Sequence, residues 1–447
     1  MRRSAALLVA TAATAAVVTA AAPANAEPVT AHNGDQVART AVSVDRVGRS
    51  GRPFGTKTTG TTAQEAQAEE YQGTRFIPTA PRRILDTRSG LGRGGVTAPV
   101  GAGGRIEVPV DNLPQYTLAV VLNVTGTSPT ANTYVTVWEG GADIAKPGVS
   151  TLNLVPGETR ANSVTTWVSL DNTVNLYNNA GTTHLIADVA GYYVYDNPGT
   201  SPTPGRYFAT GPTRVYDSRN TGGAFRAAES RAIDFSSFAV PVGATAVSLN
   251  VTGVDATENT YVTAWPTGVS RPTASSLNVA PRATTPNGVT VALGSDRKVN
   301  LYNNAGNVHL VVDIAGYYLP TENGGADFYP VTPGRAFDTR DSGPIAPAET
   351  LTLLYLDADL QPGNSLLLNL TGTEPTANTY VTPFPAGANR PGTSALNLVP
   401  GQTSPNMATV RLGTAYDEID NVNRPAHAFY NNAGNTHLVI DVFGIFA

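Results

Sequence analysis

Apolar and polar residues alternate along most of this chain. Val247, Leu249 and Val251 are interleaved with Ser248, Asn250 and Thr252, and related runs occupy residues 120–125 and 366–371. A period of two marks a strand with one buried face. Pro-Gly, Asn-Asn-Ala-Gly and Gly-Thr turns break the apolar runs at roughly ten-residue spacing. Apart from the N-terminal leader, no segment sustains the helical period. The pattern therefore predicts an all-β protein.

The pattern is written three times. Asn175-Leu-Tyr-Asn-Asn-Ala-Gly181 returns at 300–306 and, with a changed start, at 428–434. Asn132-Thr-Tyr-Val-Thr136 returns at 259–263 and 378–382. Repeats spaced by roughly 120 residues are whole domains, since solenoid units run about 20–50 residues. Three homologous modules are expected at 73–196, 205–320 and 326–447, each an antiparallel β-sandwich or jelly roll of about seven or eight strands. A small closed β-barrel is the alternative. The third copy has a longer stretch before its tail, carrying Tyr416-Asp-Glu-Ile-Asp420, and replaces the closing Gly-Tyr-Tyr by Gly444-Ile-Phe446.

Residues 1–26 join Arg2 and Arg3 to an Ala-rich apolar run and an Ala-Asn-Ala end, which predicts an export peptide. Sec and twin-arginine export both remain open. Residues 27–72 are polar and aperiodic and are expected to be a disordered spacer or pro-segment. The Pro-rich link at 197–205 is expected to hold the first two modules apart.

There is no cysteine. Thiol chemistry and disulfides are excluded, and stability must come from burial. Charged residues make up 14% of the chain and the net charge is −5. Without a basic block, nucleic acid and anionic membranes are poor partners. The expected location is extracellular or at the cell wall, and the weakly charged surface suits neutral ligands such as glycans.

The opening Arg-x-x-Asp-Thr-Arg at 83–88, 214–219 (with Ser218) and 335–340, together with the Tyr-Asn-Asn tails, resembles tandem β-rich repeat modules of secreted actinobacterial proteins. The resemblance spans nearly all of 76–447. It implies an accessory or surface-binding role and supplies no catalytic residue.

Two constellations stand out. Arg83, Asp86 and Arg88, with Arg214, Asp217, Arg219 and Arg335, Asp338, Arg340, lie on first strands; His184, Asp188, His309, Asp313, His437 and Asp441 lie on last strands. On a strand a His and an Asp four apart are ~13 Å distant, too far to bond directly. The favoured reading is a structural staple in which one Arg grips the tail Asp with two hydrogen bonds. The second constellation is an aromatic face: Tyr134, Thr136, Trp138; Tyr261, Thr263, Trp265; Tyr380, Thr382, Phe384. It is either core or an exposed sugar-stacking platform, and Pro383 suggests an edge strand. The recurrent Asn123, Asn132, Asn153 and Asn162 and their copies are read mostly as strand-end and turn residues, with carboxamide bonds to sugar hydroxyls as the alternative.

The function expected is a non-catalytic, multivalent binding protein of the envelope or extracellular matrix, with polysaccharide as partner. A structural coat of packed modules is the alternative, and an extracellular hydrolase a third reading. No cofactor or metal site is expected.

Overall fold

The computed structural model describes residues 26–29 (backbone alone), 35–41, 73–195 and 202–447. The export peptide, most of the spacer and the start of the Pro-rich link lie outside these residues, save for the short segments below.

Two short strands come first, β1 (Ala26–Val29) and β2 (Gln36–Thr40). The first module follows with β3 (Thr74–Asp86), β4 (Gly104–Pro109), β5 (Thr117–Thr127), β6 (Thr133–Glu139), β7 (Leu152–Leu154), β8 (Thr159–Trp167), β9 (Thr173–Asn178) and β10 (His184–Tyr195). They form two four-stranded layers, ordered β3-β10-β5-β8 and β4-β9-β6-β7, the first of which runs on into module three through the Phe328–Thr74 pair. Two four-stranded sheets joined in this order are a jelly roll.

The same order recurs in module two. Its sheets are Arg206–Asp217, His309–Leu319, Ala246–Val254, Thr284–Ala292, and Glu229–Asp234, Lys298–Asn303, Thr260–Pro266, Leu277–Val279. Module three repeats it a third time. No sheet closes into a barrel among the described residues. Valines and leucines on the inward positions, such as Val135, Val137, Leu152 and Leu176, fill each sandwich.

The modules are not separate bodies. Phe76, Tyr207 and Phe328 start the three copies; Tyr193, Tyr318 and Phe446 end them; all six rings are buried. Each starting ring packs on the ending ring of a neighbour: Phe76 on Tyr318 at 4.5 Å, Tyr207 on Phe446 at 4.3 Å and Phe328 on Tyr193 at 4.1 Å. The contacts run in one cyclic sense, giving the chain a pseudo-threefold core. Phe446 thus replaces a tyrosine ring as filler. The glycine before each ending pair is required: a Cβ on Gly191 would sit 2.3 Å from the Phe76 ring. The expectation that the Pro-rich link holds the modules apart is corrected, because Gly205 exchanges both backbone hydrogen bonds with Phe76.

The spacer expectation is corrected at 36–40. There β2 pairs in parallel with Thr350–Tyr355 at the edge of module three. Arg39 forms ion pairs with Asp417 and Asp420. Those acids sit on the hairpin built from the insertion in the third copy, Gly413–Asp417 against Val422–Asn431. The insertion and the N-terminal arm are therefore two halves of one clasp.

Candidate functional site

The staple is formed, and its Arg is the first of each motif. Arg83 reaches Asp188 through Nε at 2.9 Å and Nη2 at 3.2 Å. Arg214 does the same to Asp313 at 2.8 and 3.3 Å, and Arg335 bonds Asp441 through Nε. The second Arg turns back on its own strand: Arg88 Nε and Nη2 donate to Asp86 at 2.9 and 2.7 Å. Arg219 and Arg340 repeat this on Asp217 and Asp338. Arg88 chiefly holds Asp86 below its ordinary value, while burial pushes Asp188 up against the pull of Arg83. Asp86 and Asp188 are thus both neutralised by arginine.

The histidines do not touch these acids. His184, His309 and His437 pair through Nδ1 with Thr87, Ser218 and Thr339 at 2.9, 3.0 and 3.2 Å. Among the described residues no three His, Cys, Asp or Glu side chains converge as a metal site. No helix there is long and apolar enough to cross a membrane.

The aromatic face is neither of the two arrangements expected. It points away from the sandwich core, yet its far end is roofed. The loop between β6 and β7, and its copies, folds over it. Trp138 donates Nε1 to Ile144 O at 3.2 Å and Trp265 to Val269 O at 3.1 Å. Thr136, Thr263 and Thr382 donate to Val149, Ala274 and Thr393 carbonyls at 2.9, 2.9 and 2.7 Å, pinning the loop. Trp138, Trp265 and Phe384 are 3%, 5% and 7% exposed, so none is a stacking platform. Pro383 marks no edge strand either. Its strand is paired on both sides, but the outer partner, Leu396–Leu398, stops opposite Val381, so the missing N–H of Pro383 is harmless.

The near end of that face stays open. Tyr134, Tyr261 and Tyr380 are half-buried. Each lies beside the tyrosine of the Tyr-Asn-Asn motif: Tyr177 at 6.2 Å, Tyr302 at 6.3 Å and Tyr430 at 6.3 Å. Asn153, Asn278 and Asn397 stand directly across from the first tyrosines. Asn179, Asn304 and Asn432 donate their backbone N–H to the carbonyls of those tyrosines. An exposed cation from the roofing loop completes each patch. Lys146 Nζ is 5.6 and 5.0 Å from the rings of Tyr134 and Tyr177; Arg271 Cζ is 3.5 Å from the Tyr302 ring, and Arg390 Cζ 3.6 Å from Tyr430. Burial raises the Tyr134 phenol above its ordinary value and lowers the Lys146 ammonium.

Sequence reasoning found the first tyrosine of each patch and missed the second tyrosine and the cation. A signal for the cation was present: Lys146-Pro147, Arg271-Pro272 and Arg390-Pro391 recur in the three loops. The Tyr-Asn-Asn motif itself supports the patch from below. Asn178 Nδ2 bonds the Val100 and Gly101 carbonyls and its Oδ1 accepts from Thr133. Asn303 and Asn431 repeat this bracket.

No protein-family model matches this chain, and no curated protein matches it. Among solved structures, the atomic structure of Sulfolobus Turreted Icosahedral Virus is 9% identical, with a TM-score of 0.17, and the match covers 83% of this chain and 91% of that one. A second, described as the triple jelly roll fold and turret assembly in an archaeal virus, is 11% identical, with a TM-score of 0.16 and the same coverage of 83% and 91%. Likeness at that level says nothing about what this chain does. The jelly-roll assignment stands on its own strand order.

Proposed function

We propose that this chain is a secreted, non-catalytic glycan-binding protein of the cell envelope or extracellular matrix, presenting three equivalent patches on one body. The observation that carries the reading is the recurrence, in all three modules, of two adjacent tyrosines, two asparagines and a cation on the open end of the same sheet face. Tyr134, Tyr177, Tyr261, Tyr380 and Tyr430 are half-buried, whereas Tyr302 is buried beneath Arg271. The partly exposed rings offer flat apolar contact to a sugar, and neighbouring amides offer donors and acceptors. Such sites are weak singly. Three on one body gain ~100-fold or more when a polymer engages them together.

The test is co-sedimentation of the full chain with insoluble peptidoglycan and polysaccharides, beside a variant with Tyr134, Tyr261 and Tyr380 each changed to Ala. Retention of the wild type and its loss in a variant that still melts in one cooperative transition supports the reading. Release of the wild type by every polymer, with self-assembly on concentration, replaces it by the coat reading.

A further inference from the structure

The three patches carry a charge that a neutral sugar does not need. A guanidinium carbon 3.5 or 3.6 Å from a ring centroid can lie only over the ring face. Arg271 and Arg390 are thus held flat on Tyr302 and Tyr430. Stacking fixes the plane of the fork and leaves its N–H donors pointing outward from the rim.

These donors have no carboxylate among the described residues. Other arginines, Arg82, Arg105, Arg282 and Arg411 among them, also form no ion pair among the described residues, but they do not recur at one equivalent place in all three copies. Arg83, Arg88, Arg214, Arg219, Arg231 and Arg335 each grip an acid. Lys146, Arg271 and Arg390 are exposed and form no ion pair there. An unpaired cation kept at the same place three times, in a chain of net charge −5, is the feature to explain. A planar fork with free donors matches a carboxylate or phosphate, which it takes with two parallel hydrogen bonds.

Resting on the glycan-binding reading, we propose that the three patches recognise an oxyanion-bearing polysaccharide, one with carboxylate or phosphodiester groups along its length. The first tyrosine of each pair, Tyr134, Tyr261 or Tyr380, and the asparagines contact the sugar, and Lys146, Arg271 and Arg390 take the anion. The first patch differs in kind, because Lys146 is a point charge between two rings rather than a stacked fork.

The experiment measures binding of the full chain to immobilised polygalacturonate, to a phosphodiester-linked polysaccharide such as a phosphomannan, and to uncharged dextran. The acidic polymers are expected to bind and dextran is not; whichever acidic polymer binds identifies carboxylate or phosphodiester as the anion. Binding should weaken steeply on an approximately tenfold rise in salt. Changing Lys146, Arg271 and Arg390 together to Gln should weaken it at least about tenfold through lost avidity, with the melting temperature unchanged because the three side chains are exposed. Arg271→Lys with Arg390→Lys keeps charge and removes the fork, and should fall between wild type and the Gln variant. Equal binding to dextran and to the acidic polymers, undiminished in the Gln variant, overturns the proposal while leaving glycan binding intact. Failure to bind any polysaccharide overturns both.

Discussion

Asn287 Nδ2 in the second module donates to Asn123 Oδ1 in the first at 2.9 Å. The same bond joins Asn406 to Asn250 and Asn162 to Asn369, each at 2.9 Å. The acceptor end of each donor is also used: Asn287 Oδ1 takes the N–H of Ser163, Asn406 that of Gly288, and Asn162 that of Met407. Modules one, two and three are thus joined in a closed cycle of asparagine pairs. These residues lie in mid-strand between modules, which corrects their reading as turn residues.

The cycle should make the modules one cooperative unit. Asn287→Ala would strand Asn123 Oδ1, the Ser163 N–H and the Ser276 carbonyl in a buried interface, at a cost of about 2–4 kcal/mol. Asn132→Ala, at an exposed position, should stay within about 0.5 kcal/mol. Denaturant unfolding followed by fluorescence should show one transition in the wild type. Three separable transitions would show that the modules stand independently.

Stability against pH should depend on two opposed groups in module three. Arg335 serves one oxygen of Asp441, whereas Oδ2 is buried without a partner. Burial pushes Asp441 up from 3.8 to about 6. The folded chain then holds a proton the unfolded chain releases, so this contribution is full below the unfolded value and is lost as pH rises through about 6. Burial also pushes His427 down from 6.5 to about 4. There the unfolded chain takes the proton first, so stability is lost as pH falls from 6.5 towards 4. Each shift is worth about 3 kcal/mol, and the signs oppose. The wild type should vary little across this window. Asp441→Asn should lose stability on acidification and His427→Gln should gain it, as read by melting temperature; parallel profiles for both variants would refute the assignment.

Removing residues 1–41 should uncover a dangerous edge. The edge strand Thr350–Tyr355 carries no charge, whereas its equivalents carry Arg105 and Glu107, or Glu229, Arg231 and Asp234. Charged edges resist strand addition and uncharged ones invite it. The truncated chain is expected to self-associate with concentration in light scattering while the full chain does not. A monodisperse truncated chain would show that the arm guards nothing.

Trp265 and Tyr261 should separate stability from binding. Trp265→Ala leaves a cavity under the roofing loop and should cost about 3–5 kcal/mol. Tyr261→Ala, half-exposed, should cost about 1 kcal/mol or less yet weaken polysaccharide retention. Thermal melts and co-sedimentation of the two variants check both halves; a larger stability loss for Tyr261→Ala would reverse the assignment.

The sequence by itself determined what is local or repeated. Alternation at Val247–Thr252 specified strands, and the threefold spacing specified three modules. The Arg83–Asp188 staple was legible because a two-residue period puts Arg and Asp on known faces and a buried acid needs a partner. Which asparagine bonds which, that Trp138 lies beneath a loop, and that Arg39 reaches an insertion far along the chain were decided only in three dimensions. Alternation reveals that a strand has two faces but not what covers the polar one. For each jelly roll here that cover is its own loop on one sheet and a neighbouring module on the other, and such long-range packing leaves no periodic trace in the chain.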